Sequence, residues 1–363
     1  KNIGPSPLCA RMAAPPSHVC IVGGGIVGAA SAYYLSLRGV GVTILEQAGI
    51  AYHSSGKAAG FLASDWNEGA IGALSRRSFS LHKDLAATFG AENIGYRPMT
   101  CLGLGYGGMH QEGGRAWLDR TEGDNVMGTE ATVAQVHPKK LTDALVRSSG
   151  AKVIIGRAVG VDMEGERVVG VRCEAGQTLK CEAVLFAMGA WAQHCATWFP
   201  SLEKTLKDTV GKKYTSVIWD AKCDNTAVFL ESEHQVEIYP RVDEVYANGC
   251  PLYEALPPNP LDIEPDPALV ETVRQEVAKA SSTLAESPVK SATACFLPSS
   301  ADGLPVMGRV PGTRNAFVAC GHTCWGILNG PASGKLMADL IVDGVDELCA
   351  FDPGREPEKC CLQ

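Results

Sequence analysis

The stretch His18–Glu46 restricts the fold of this chain more than any other. His18-Val19-Cys20-Ile21-Val22 is a short apolar run rich in β-branched residues, as a strand buried on both faces requires. Gly23-Gly24-Gly25-Ile26-Val27-Gly28 follows at once and matches G-x-G-x-x-G. In such a turn Gly23 makes the tight bend, Gly25 lets a diphosphate approach the backbone, and Gly28 lets helix and strand pack closely. A helix is expected from Ile26 to about Arg38, ended by Gly39. Its first residues, Ile26 and Val27, carry the backbone donors and partial positive charge that suit an anion. Val42-Thr43-Ile44-Leu45 reads as the second strand. Glu46, 18 residues past Gly28, stands where a carboxylate accepts both hydroxyls of an adenosine ribose, with Gln47 beside it. Strand, turn, helix and acid together predict an α/β dinucleotide-binding domain of Rossmann type.

The next segment separates the two common dinucleotides. A NAD domain normally continues into another helix and strand. Here Ser54-Ser55-Gly56-Lys57-Ala58-Ala59-Gly60-Phe61-Leu62 is a loop of small residues, suited to lie along a diphosphate and reach towards a flavin. Ser54, Ser55 and Lys57 therefore join the predicted FAD contacts.

Composition bounds the rest. A length of 363 residues favours two domains, and a net charge of −8 argues against nucleic acid as a partner. No apolar run approaches the roughly 20 residues of a membrane helix. The 14 cysteines contain no C-x-x-C pair, so zinc-ribbon and thioredoxin-like readings lack support and no metal is expected. They read as mostly buried, reduced thiols in an intracellular protein, cytoplasmic or organellar. Cys320 and Cys324 flank His322, but glycines in the same stretch favour a tight loop over a metal site. The proline-rich segment before His18 is read as an N-terminal extension, with either Met12 as the start in related chains or a targeting segment removed. Cys360-Cys361-Leu362-Gln363 fits a prenylation box loosely, and an ordinary tail is the preferred reading.

From these residues the chain resembles the FAD-dependent amine and amino-acid oxidoreductases of the D-amino-acid oxidase, glycine oxidase and sarcosine oxidase family, in particular a little-characterised branch found in fungi and plants. The resemblance runs in segments and implies a discontinuous FAD-binding domain over 18–62, 136–200 and 294–345. It implies a second, α+β substrate domain built on an antiparallel sheet over 63–135 and 201–293, and a tail over 346–363. It places Val159 where a backbone meets adenine. Ala183 to Trp191 resembles the family's second dinucleotide-contacting strand, which assigns Ala187, Gly189 and Trp191 to the cofactor. Ala301-Asp302-Gly303-Leu304-Pro305-Val306-Met307-Gly308 resembles the T-P-D-G-x-P-x-x-G turn and assigns Gly303. Gly321 to Gly334 resembles the flavin-ring loop and assigns Gly321, His322, Gly326, Ile327 and Leu328. Pro331 suits the first turn of a helix capped by Asn329 or Gly330 and running to about Val342.

The resemblance implies hydride transfer from an amine-bearing carbon to flavin, hydrolysis of the imine, and reoxidation by oxygen. The candidate catalytic set is His322, Trp325, Arg241 and Tyr239. Sarcosine oxidases hold the substrate carboxylate with a lysine three residues after the loop histidine. Trp325 occupies that place, so Arg241, or more weakly Arg97, is a candidate replacement anchor, with a structural ion pair the preferred reading of each. Cys295 lies seven residues before Asp302, the spacing of a flavin-linking cysteine, with non-covalent binding preferred. The competing readings are a 2-hydroxy acid dehydrogenase of the same superfamily and a non-enzymatic subunit of a larger complex.

Overall fold

The computed structural model describes residues 15–107, 115–206 and 211–357. The readings around Met12 and Cys360–Gln363 lie outside the described residues.

The opening strand His18–Val22 sits inside a six-stranded sheet ordered Val306–Arg309, Ala316–Cys320, Ala183–Phe186, His18–Val22, Gly41–Glu46 and Lys152–Ile155. All pairs are parallel except the first, which is antiparallel. Its continuous apolar run has a simple cause. Val19 and Ile21 enter one core beside Ile44, Leu185 and Phe317, while Cys20 and Val22 enter another beside Phe186, Leu202 and Val306. Each fully buried aliphatic or phenyl side chain contributes about 1.5–3 kcal/mol relative to exposure, so a strand with both faces covered is strongly fixed. The first core is completed by helices Ile26–Ser36, Gly69–Phe89, Pro138–Ser149 and Gly326–Asp343. The first and last of these pack closely. A Cβ on Gly334 would stand 2.5 Å from Ala30 Cβ.

A seven-stranded sheet faces this body, ordered Val289–Leu297, Gly211–Trp219, Val245–Glu254, Glu237–Pro240, Thr226–Leu230, Thr100–Tyr106 and Thr121–Gly128. It is antiparallel save for the pair Thr226–Leu230 and Thr100–Tyr106. The helix Pro267–Ala280 buries Val273 and Val277 against Val217 and Val245 of this sheet. It stops at Ala280, because Ser281 turns out of the helix and caps a separate one, Ser282–Glu286, by accepting from Leu284 N at 3.1 Å. The α/β class, with one Rossmann-type sheet and one largely antiparallel sheet, is as the sequence reading has it.

Three segments pair differently from the predicted partition. Residues 294–297 belong to the seven-stranded sheet, because Val289–Leu297 hydrogen-bonds along Gly211–Trp219 as far as Leu297. Helix Gly69–Phe89 buries Leu74, Phe79 and Leu85 in the core of the Rossmann body. Leu202 and Leu206 remain in the core behind Ala183–Phe186. The stretch after 345 also packs down. Phe351 is buried, and Arg355 makes a two-pronged contact with Asp302 at 2.8 Å on each oxygen.

Pro331 corrects the expected start of the last helix. The helix begins at Gly326, and Pro331 lies inside it. A proline there cannot donate to the carbonyl of Ile327, four residues earlier. The carbonyls of Ile327 and Leu328 accept instead from His82 Nε2 at 3.0 and 3.1 Å, and Ala332 N donates to Ser78 Oγ at 3.1 Å. Both partners come from helix Gly69–Phe89, so the interruption is repaired by a neighbour remote in sequence. Burial lowers His82 to about 4, which keeps it neutral, with its single proton on the donating nitrogen.

Candidate cofactor and substrate cavity

Between the two sheets lies a cavity of about 320 Å³, at the lower end of the usual size for a small-molecule site, roughly 300–1,000 Å³. At one end its wall is the glycine turn. Gly23, with φ of 114°, presses so close to the next strand that a Cβ would stand 2.2 Å from the carbonyl oxygen of Ala187. Gly25, Ile26 and Val27 face the cavity, and Gly28 packs behind them, where a Cβ would meet Gly23 O at 2.1 Å. Ser55 Oγ accepts from Ile26 N at 2.9 Å and so fixes the first turn of the helix.

Glu46 lines the same end with Gln47. Its Oε2 accepts from Gly24 N at 2.7 Å and its Oε1 from Ala48 N at 2.9 Å. A carboxylate offers about four lone-pair sites, so two backbone bonds orient it and leave acceptor capacity for a sugar diol. Gly156, Arg157 and Ala158 continue the wall. Val159 does not line it. It is exposed on the strand Ala158–Glu164, and its neighbour Ala158 lines the wall. Ala187, Gly189 and Trp191 line the middle, as does Ser54.

The segment around Ser54 is clasped to the sheet opposite. Ser54 Oγ donates to Phe296 O at 2.7 Å, Lys57 Nζ donates to Ala294 O at 3.1 Å, and Phe296 N donates to His53 Nε2 at 3.0 Å. Lys57 is thereby spent on the sheet rather than on the cavity. Cys295, between those acceptors, does line it, and burial pushes its thiol up to about 11 against the opposing charge of Lys57.

The far end is aromatic. Phe61, Trp66, Phe229, Tyr239 and Trp325 all line it and touch edge to face or tilted, with ring centroids 5.1–6.2 Å apart. Tyr239 donates to Glu237 Oε2 at 2.7 Å. Glu237 itself lines the cavity and was absent from the sequence candidates. Burial raises its pKa, opposed by Tyr239, Asn248 and the charge of Lys212. A signal was present in the strand: Glu237 and Tyr239 share one face at a spacing of two, and an acid on the face that carries a buried tyrosine needs a reason.

Arg241 is not a free anchor. It is buried, its Nη1 bonds Glu244 at 2.7 Å, its Nη2 donates to Ala58 O at 2.7 Å, and it stacks over Tyr246 at 4.8 Å. Arg97 is likewise held, by Pro240 O at 2.5 Å and Gln135. Neither lines the cavity.

The ring loop is only partly as expected. His322 lines the cavity, but its Nε2 is paired with Ser333 Oγ at 2.8 Å, and burial lowers its pKa to about 4. It is a neutral hydrogen-bonding group, not a titrating acid or base. Thr323 is held at φ 51°, a conformation worth roughly 1–3 kcal/mol of strain in a non-glycine residue, and its N donates to Pro298 O at 2.8 Å. The helix then starts at Gly326 with no side chain capping it, and Gly326 and Ile327 line the cavity. Leu328 is buried one step behind. Gly303 and Gly321 are turn residues at φ 75° and 74° that shape the loop without lining it. Among the described residues no group of three or more His, Cys, Asp or Glu is placed to hold a metal ion, and no helix is long and apolar enough to cross a membrane.

Comparison with known proteins bears on what such a cavity belongs to. A Schizosaccharomyces pombe protein whose name gives an oxidoreductase without a substrate is 30% identical over 364 residues, covering 90% of this chain and 94% of its own. The bifunctional protein ThiO/ThiG of Nostoc sp. strain PCC 7120 is 26% identical over 359 residues, and this chain spans 52% of its length. The crystal structure of glycine oxidase from Bacillus cereus ATCC 14579 superposes with a TM-score of 0.78 at 22% identity, over 95% of this chain and 99% of that one, which speaks for the fold alone. Residues 18–340 match the family described as FAD dependent oxidoreductase, and the chain belongs to that family.

Proposed function

We propose that this chain binds FAD along the cavity and oxidises an amine or amino acid, with oxygen as the acceptor that returns the cofactor to its oxidised state. One observation carries the reading. A single cavity joins the glycine turn and Glu46 at one end to an aromatic pocket and an uncapped helix start at the other. The residues present fit the group. Gly25 has no side chain where a diphosphate would approach, and Ser55 holds the donors of the helix start in place. Glu46, oriented by two backbone bonds, would grip the ribose.

Bound flavin supplies the redox step by accepting a hydride from the carbon next to nitrogen. The protein's own contribution is orientation and electrostatics. The backbone N–H groups at Gly326 and Ile327 present the positive end of a helix dipole to the cavity, which favours negative charge developing there. His322 stays neutral and braces the loop through Ser333. Phe61, Trp66, Phe229 and Trp325 exclude water from the substrate end. Burial pushes the Cys295 thiol up to about 11, which supports non-covalent binding of the cofactor. Acid denaturation should release all flavin to the supernatant.

The test is anaerobic mixing of the purified yellow protein with a panel of amines and amino acids. Bleaching of the visible flavin band by at least one of them is expected. A colourless protein that takes up no flavin would overturn the cofactor assignment. A yellow protein bleached by none would overturn the catalytic one.

A further inference from the structure

The substrate end of the cavity carries a charge pattern opposite to the one a carboxylate needs. Of the described residues lining the cavity, Arg157 is the sole lysine or arginine, and it lies at the Glu46 end with Glu174 at 3.5 Å. Arg241, Arg97 and Lys57 are each tied to other groups outside the lining. Lys212 is the one cation whose charge is felt at Glu237. It rests over the Tyr214 ring at 5.2 Å and the Tyr253 ring at 5.9 Å and does not line the cavity. The lining histidines His53, His194 and His322 are all lowered by burial, His53 to about 3 and His322 to about 4, and the charge of Arg157 lowers His194 further.

Against this stands one acid. Glu237 lies directly across from Phe229 on one neighbouring strand and Asn248 on the other. Tyr239 and Asn248 both donate to Oε2, at 2.7 and 3.4 Å, so among the described residues the pair of donors falls on one oxygen. No hydrogen bond from the described residues falls on the other oxygen, and Glu237 lines the cavity. Around it the aromatic surfaces of Phe229, Trp66 and Trp325 form a continuous wall. Aromatic faces attract cations through their quadrupole, and attract them more strongly in a desolvated site. A carboxylate backed by aromatic faces is a receptor for an organic ammonium ion, and it repels an anion.

We propose that Glu237 and the aromatic wall select a cationic amine that lacks a carboxylate, and that Glu237 orients it through the ammonium group. This rests on the reading of the cavity given above and narrows its substrate class from amine or amino acid to amine.

The test uses two probes of similar shape and opposite charge, benzyltrimethylammonium and benzoate, on the purified flavin-loaded protein. Binding is read by calorimetry and by the fluorescence of the tryptophans, neither of which needs turnover. The cation should bind and benzoate should not. Glu237→Gln should weaken the cation about tenfold or more, and Trp66→Leu roughly tenfold, with flavin content unchanged. In turnover, phenethylamine should be preferred to phenylalanine, and Glu237→Gln should raise KM more than it lowers kcat. Benzoate binding in place of the cation, or no binding of the cation by the unmodified protein, overturns the proposal. So does an affinity for the cation that Glu237→Gln leaves unchanged. Loss of flavin binding would be a separate result, because it strikes the cofactor reading, and the probe titration of the unmodified protein stands without it.

Discussion

At the glycine-turn end, most of the cavity wall comes from one stretch, Val22 to Ser55, joined by Gly156–Ala158, and the side chains of Glu46 and Ser55 orient its backbone. At the aromatic end the wall is side chain, gathered from Phe61, Trp66, Phe229, Glu237, Tyr239 and Trp325 across the whole length of the chain. The difference teaches where specificity can change. A backbone cradle tolerates few substitutions and recognises what every dinucleotide has in common. A side-chain pocket can be rewritten one residue at a time while the fold stays the same.

The comparison breaks most sharply at Gly23. Gly23→Ala places a Cβ 2.2 Å from a backbone oxygen in a strained conformation, with an expected cost of about 3 kcal/mol or more and loss of bound flavin. Urea melts and flavin content check it together. If the variant folds and stays yellow, the cradle is more forgiving than its geometry implies.

Acid should next strike the helix Gly326–Asp343, which His82 and His322 both brace. His82 and His322, both buried, are lowered from the ordinary 6.5 to about 4. Below 6.5 the unfolded chain takes up these protons and the folded chain does not. Stability is therefore complete above 6.5 and is lost as pH falls towards 4, by about 1 kcal/mol per histidine for each pH unit. Thermal melts across this range should show the loss, and His322→Gln should remove its share of the slope.

Glu46→Gln sharpens the contrast within the cradle. It keeps one acceptor, removes the charge and turns an NH2 towards one of the two backbone N–H groups, so flavin affinity should fall by about 2 kcal/mol and the apoprotein should melt slightly lower. Flavin titration followed by fluorescence measures it.

The smallest effect is expected at Glu237. Its folded pKa is raised by burial, so the stability tied to the protonated carboxyl is full below its unfolded value and is lost as pH rises through the folded one. Glu237→Gln should thus melt higher than the unmodified protein at alkaline pH, by about 1 kcal/mol or less, and show no such advantage in acid. Paired thermal melts at the two extremes check it.

Legibility in the sequence follows the same division. Gly23, Gly25 and Glu46 were readable because the cradle is local: the residues that meet in space are neighbours in the chain. Pro331 misled because its preference for a first helical turn is a local rule, while His82 and Ser78, which make it tolerable mid-helix, lie some 250 positions away. The ion pair preferred for Arg241 is there, but for a related reason the partners of this residue could not be named from the sequence. Its charge was visible, but the bond to Glu244 and the contact with Ala58 O that consume it depend on how the chain turns after Pro240. Glu237 went unremarked because a single acid in an alternating strand usually faces water. Only the placement of Phe229 and Asn248 on either side shows that it does not.

The clasp formed by His53, Ser54 and Lys57 has an effect beyond the cavity. Val289–Leu297 is an outermost strand of its sheet, and the groups the clasp engages, Ala294 O, Phe296 O and Phe296 N, belong to that rim. Uncovered rims of this kind recruit strands from other molecules. The same short segment that lines the cavity thus also covers this rim, and damage to it should surface as self-association.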